Sequence, residues 1–334
     1  MKTKLEWTRN RMITMLVALI FSVGIAYGEK NVPTITKTFK MSQAGTLNSS
    51  SSGGGITVSA HDKAEVIVQA FVRKRGVVLS PNDNDVKEVL EAYDLVIEKN
   101  GNEITATAKR KMRGNFWNNT GIYFNIIVPH EMSCNVSSSG GGLKISGVAG
   151  THNFSSSGGS VKLENTGGTT SAKSSGGSVN AYKHKGDIKL SSSGGGVKLD
   201  KAKGSVYAHS SGGSVKLNNI NGDVEASSSG GGVYVTGEAA YVKARSSGGP
   251  VKVNIANLSK EMDLSSSGGG VEAIIHDGDK LGMDLDLSSS RVSIDLHNFS
   301  GKSEKNRING TMNGGGIPVY MRASGGNVTV EFVN

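Results

Sequence analysis

Only one cysteine, Cys134, occurs in the 334 residues, so no internal disulfide can brace the chain, and stability must come from backbone pairing and packing. A catalytic thiol would need His and Asn partners, and no local motif around Cys134 offers them. Its expected role is a small, half-buried apolar residue at a strand end. Proline is scarce, at 5 residues, and aromatic residues reach only 5%. That argues against a large conventional core and against a sugar cleft walled by Trp and Tyr. Long hydrophobic runs are missing apart from residues 12–26. This run follows Lys2, Lys4, Arg9 and Arg11 and precedes Ala26-Tyr27-Gly28, the arrangement of a secretory signal peptide over residues 1–28. It is shorter than the ~20 residues a membrane span requires. No Cys follows it, which excludes the lipoprotein route. The expectation is an exported protein of the periplasm, cell surface or extracellular space, with no transmembrane span in the mature chain. Losing the leader removes four basic residues and Glu6, and takes the formal charge of +9 down to about +6.

Glycine is abundant instead: 47 of 334 residues, roughly twice the usual ~7%. Collagen would need about one in three, so an ordered repeat is the better explanation. Every ninth residue from Gly150 to Gly231 is Gly. The third and fifth positions of each unit are apolar, as in Val197 and Leu199 or Val206 and Ala208, which is the alternation of a short strand with one buried face. Every second unit ends in Ser-Ser-Gly, as at 174–176, 192–194 and 210–212, so identical chemistry returns after 18 residues. One coil is then two strands and two corners. Stacking at the strand spacing of ~4.8 Å sets Ser192 over Ser174, and aligns Val179, Val197, Val215 and Val233 in one buried column. The expected fold class is all-β, a single right-handed parallel β-solenoid of 18-residue coils with an N-terminal β-rich cap; the hand follows from the crossover rule. Large residues of one sheet (Leu163, Leu199, Leu217) alternate with small ones of the other (Ala172, Ala208, Ala226), while Ala181 and Leu190 exchange roles together. Such a core is thin and implies no ligand cavity.

Residues 29–136 form the cap in this reading. They hold an early repeat copy at 51–58, a strand at 66–73, a short helix at 85–91 after Pro81, a hairpin about Asn100-Gly101, and a strand at 122–128 ended by Pro129. Together these would cover the first coil's open edge. Residues 137–278 are the regular solenoid and 279–334 irregular C-terminal coils. In that last region the equivalents of Val251 are Val271, Val292 and Ile317, at steps of 20, 21 and 25.

A leader, a strand at Thr38–Met41, Ser-Gly-Gly-Gly-Ile-Thr-Val near Gly53, the Ile126-Ile127-Val128-Pro129 ending and many Ser-Ser-Gly-Gly-x-Val-x-Leu units follow one another over residues 40–334. In this order the chain resembles a bacterial adhesin-like family with β-strand repeats, a secreted domain of unknown function found in Bacteroidetes-type envelopes. The resemblance implies an envelope β-solenoid with an adhesive role. It brings no catalytic residues and no cofactor.

Most chemical motifs fail on inspection. Gly301-Lys302-Ser303 ends like a phosphate-binding loop, but Leu296 stands where the first Gly is required. His130-Glu131 opens like a zinc-protease helix, but Cys134 replaces the second His. His152, His184 and His209 do not share a repeat phase, so they form no metal column and read as solvated surface residues. Calcium coils need Asp inside the turn, where this chain has Ser, Lys or Leu. No metal is expected. Asp187 and Asp223 lie two coils apart, about 9.6 Å at ~4.8 Å per coil, near the upper limit of ~6.5–9.5 Å for inverting glycosidases. This leaves a polysaccharide-degrading parallel β-helix enzyme as the alternative; an aromatic-lined groove with clustered carboxylates would favour it.

The remaining feature is charge. The outward fourth position of one sheet, read every 18 residues, runs Lys144, Lys162, Asn180, Lys198, Lys216, Tyr234, Lys252. Residues 137–260 hold fourteen Lys or Arg against six Asp or Glu. The same lysines would also keep the face soluble and protect edges. The functional expectation is a non-enzymatic adhesin or envelope scaffold whose lysine stripe meets an acidic polysaccharide or envelope glycan. Nucleic acid is not an expected partner.

Overall fold

In this computed structural model, residues 32–111 and 120–333 are described, and the leader at residues 1–28 lies outside the described residues. Alternating apolar residues produce strands almost everywhere, and 29 of them join one sheet system that is mostly parallel. Val161 pairs with Val179, Val179 with Val197, Val197 with Val215 and Val215 with Val233, each partner 18 residues on. All five side chains are buried. On the second sheet Ile188, Val206, Val224 and Val242 stack in the same way. Leu190 and Ala181 are both buried within one coil, so the exchanged volumes sit together.

The first strand is bent in the four coils that begin at Val161, Val179, Val197 and Val215. In Val197–Lys203 the inward residues are Val197, Leu199 and then Ala202, so the alternation slips by one residue. The slip lies at Lys201, whose φ is +63°; the equivalent Asn165, Lys183 and Asn219 have φ of +50°, +55° and +55°. Left-handed backbone costs about 1–2 kcal/mol for a residue with a Cβ, and Asn tolerates it best. The bend gives these four coils a short third inward side, occupied by Thr166, His184, Ala202 and Ile220.

The Ser-Ser-Gly corner is a hydrogen-bond ladder. Ser192 Oγ donates to the Gly177 carbonyl of the coil before it at 2.8 Å and accepts the Gly195 amide at 3.0 Å. Ser174, Ser210, Ser228 and Ser246 repeat the pair of bonds. The hydroxyls form the expected column, but they point inward and are buried. There they satisfy corner backbone groups that would otherwise be left without partners.

Both ends depart from chain order. The early repeat copy, strands Gly45–Ser51 and Ile56–His61, lies between strands Glu103–Arg110 and Thr120–Pro129 on one side and Met132–Ser138 and Leu143–Ser146 on the other. Antiparallel strands Tyr93–Asn100 and Glu65–Lys74 then cover that end, and Ile35–Lys40 adds to Glu65–Lys74. The helix Asn84–Glu91 is capped by Asp83, which accepts the Asp85 amide. At the far end Val271 stacks on Val328, which in turn stacks on Val292. Ile317 belongs to the other sheet, beside Met283. The assignment of Val292 and Ile317 as successive equivalents of Val271 is therefore wrong. The last two strands, Ile317–Ala323 and Val328–Val333, insert between the coil of Glu261–Ser266 and Val271–His276 and the coil of Met283–Ser288 and Val292–Ser293. Step length along the chain could not reveal this, because a long polar excursion, residues 299–312, intervenes as an antiparallel hairpin.

Candidate functional site

Alternation puts the fourth position of the first strand outward, and the register lines these positions up across coils. Lys144 pairs with Lys162, Lys162 with Asn180, Asn180 with Lys198, Lys198 with Lys216, Lys216 with Tyr234 and Tyr234 with Lys252. All five lysines are exposed. They are not equivalent. Lys252 Nζ is 2.7 Å from Glu272, its register neighbour, and that hydrogen bond raises the lysine's pKa. Lys216 Nζ lies 5.7 Å from the Tyr234 ring centre. Among the described residues, Lys144, Lys162 and Lys198 meet no carboxylate within ion-pair distance. Glu272 was invisible to an 18-residue reading because the step from Lys252 is 20.

The second sheet carries a shallow trough of about 690 Å³ lined by Asp187, Lys189, Tyr207, Asp223, Glu225 and Tyr241, among others. Lys189 Nζ sits 4.7 Å from the Tyr207 ring centre, and Tyr207 is 41% exposed. The two candidate carboxylates are each engaged. Asp187 Oδ1 accepts the Ser205 amide at 3.1 Å, and Asp223 pairs with Lys260 at 2.7 Å. An aromatic and acidic groove therefore exists where composition argued against one, because two of only eight tyrosines fall on this one face.

Two histidines read as solvated are interior. His152 and His184 are 2% and 3% exposed. His152 stacks on Phe154 with ring centres 5.5 Å apart, and stands in register between Cys134 and Thr170. A Cys/His neighbourhood thus exists across coils, where no local motif could show it. Burial works against nucleophilic chemistry there. It pushes the fully buried Cys134 thiol up to about 12 and lowers His152 to about 4, so both groups stay neutral, the reverse of a thiolate–imidazolium pair. Among the described residues no group of three or more His, Cys, Asp or Glu is placed to hold a metal ion.

The same desolvation predicts acid sensitivity. With a folded pKa of about 4 against 6.5 unfolded, the unfolded chain binds the proton first. Stability is complete above pH 6.5 and is lost as pH falls toward 4, by ~2–3 kcal/mol for His152. His184 is shifted the same way by burial. Urea midpoints at pH 7 and pH 4.5 should converge markedly in His152→Leu relative to the unaltered chain. Parallel losses in the two proteins would show that His152 does not carry the effect.

The sequence profile described as Toastrack DUF4097 matches residues 34–331. No protein of curated function matches the chain. Among solved structures, a "putative adhesin" of Parabacteroides distasonis is 11% identical, with a TM-score of 0.44 over 90% of this chain and 96% of that one. A "putative adhesin" of Bacteroides fragilis is 12% identical, with a TM-score of 0.32 over 90% and 96%. A "putative lipid binding protein" of Parabacteroides distasonis is 15% identical, with a TM-score of 0.30 over 89% and 96%. No helix among the described residues is long and apolar enough to cross a membrane.

Proposed function

This chain belongs to the Toastrack DUF4097 family, and with that as premise we propose that it is an exported, non-enzymatic, right-handed β-solenoid that adheres to anionic glycan through its lysine face. The observation that carries the reading is the register of Lys144, Lys162, Lys198, Lys216 and Lys252 in one outward row. A flat row of fixed cations at a coil spacing of ~4.8 Å offers a charged polymer many weak contacts instead of one pocket. Neighbouring lysines repel each other by about 0.9 kcal/mol at the dielectric of water, and a bound polyanion relieves that repulsion. The basic, apolar leader of the sequence supports export.

Binding to an acidic polysaccharide should weaken about tenfold between low and physiological salt. It should fall further when Lys162, Lys198, Lys216 and Lys252 become Gln, with Lys252 contributing least because Glu272 already pairs with it. Salt-insensitive binding, or affinity unchanged in the variant, would falsify the stripe. The trough of the second sheet favours one competing reading, glycan cleavage with Asp187 and Asp223 as the carboxylate pair. Reducing-end release, measured in the same experiment and abolished by Asp187→Asn, would establish that reading instead.

A further inference from the structure

We propose that the bend in the first strand of two adjacent coils is a second anion site. It is formed by Lys183, Lys185, Lys201 and Lys203, and takes a sulfate or phosphate group carried on a polymer. It shares with the outward lysine row the premise that this protein meets an anionic polymer, but it uses other residues on another side of the coil.

At four equivalent bends the left-handed residue is Asn165, Lys183, Lys201 and Asn219. Asn suits that backbone because its short amide bonds locally, whereas Lys has no such compensation. Lysine therefore stands in strained backbone at two consecutive coils, with the favoured residue on either side. Strain that the fold does not require points toward function. The next row repeats the confinement: Gly167, Lys185, Lys203 and Asn221 are register neighbours, with lysine again only in the two middle coils.

The bends carry a shallow, open hollow of about 440 Å³, bordered by the four lysines, by Asn165 and Asn219 of the flanking coils, and by Thr166, His184 and Ala202. The Lys183 and Lys201 ammonium groups lie 5.2 and 5.6 Å from the ring centre of Tyr182. The nearby Asp200 carboxylate is engaged by the Asn219 amide at 2.9 Å. Among the described residues none of the four lysines forms an ion pair. Beneath them His184 Nδ1 is bonded to Thr166 Oγ1 at 3.0 Å, while its Nε2 is buried without a hydrogen-bond partner. Four lysines with no carboxylate partner among the described residues thus border one shallow hollow. A tetrahedral oxyanion presents enough acceptor atoms to serve several of them at once, whereas a single carboxylate presents two.

The test replaces Lys183 and Lys201 with Asn, the residue of the flanking coils. The double variant should gain thermal stability, with Tm rising by about 2–4 °C, while binding of dextran sulfate and of polyphosphate at low salt falls at least tenfold. Dextran sulfate and polyphosphate separate the sulfate and phosphate sources, and neutral dextran is the control. The variant with Lys162, Lys198, Lys216 and Lys252 changed to Gln is measured beside it. Loss in the bend variant with gain in Tm supports the site, whatever the row variant does. A more stable bend variant with unchanged affinity overturns it. If the row variant alone loses binding, the bend is no site and the stripe reading stands. If neither loses binding, both fail.

Discussion

Val215→Asp should destabilise the protein by ~5 kcal/mol, while Lys216→Asp, one residue on, should stay within about 0.5 kcal/mol of the unaltered chain. Val215 is fully buried and stacked between Val197 and Val233. A carboxylate there loses the burial of the valine, worth about 1.5–3 kcal/mol, and gains no cation, because the residues above and below are apolar. Lys216 is exposed and its partner is a tyrosine ring. Denaturant midpoints of the two variants decide the matter. Equal midpoints would mean that the inward and outward faces are reversed.

The second large effect is expected at the other corner. Gly204 has φ of +127°, and a Cβ there would lie 2.3 Å from the carbonyl oxygen of Gly186 in the preceding coil. That oxygen cannot retreat, because the stack fixes the spacing and Gly186 itself donates to the Lys203 carbonyl at 2.8 Å. Gly204→Ala should therefore cost about 3 kcal/mol or more, conformational strain and clash together. Gly76 is the control. Its φ is +84° but nothing lies within 4 Å of its would-be Cβ, so Gly76→Ala should cost only about 1 kcal/mol. Thermal unfolding of both variants tests the difference, and equal losses would show that the coil spacing yields.

The regular coils were legible because each residue's partner is its own equivalent 18 positions on. Any property that recurs at that step, such as Val197 or Ser192, is then also a spatial neighbour. Legibility ended wherever contact stopped following the period. Val328 on Val271 and Met283 beside Ile317 are pairings across an excursion of unrelated sequence. The bend at Lys183 and Lys201 was missed for another reason. Alternation was read from the third and fifth positions, and a single left-handed residue beyond them shifts the phase without altering the period. His152 looked like a surface residue because its immediate neighbour Thr170 is polar and, of the apolar members of its column, Leu47 and Ile104 on one side stand outside the 18-residue phase and Ile188 on the other is two coils away. The lysine row was read in full, but its termination at Glu272 lay beyond the constant step.

The insertion of Ile317–Ala323 and Val328–Val333 between two earlier coils also sets an order of events during synthesis. A ribosome releases the chain from its N-terminus, so the coil of Met283–Ser288 emerges before the strands that separate it from Glu261–Ser266. Until residues 317–333 arrive, the coil of Met283–Ser288 and Val292–Ser293 has no parallel partner, and the stack stays open there. That end is closed by strands made after the coils they separate, as a wedge closes an arch. A chain halted short of residue 317 would present the unpaired edges of Glu261–Ser266 and Val271–His276 to any other chain nearby.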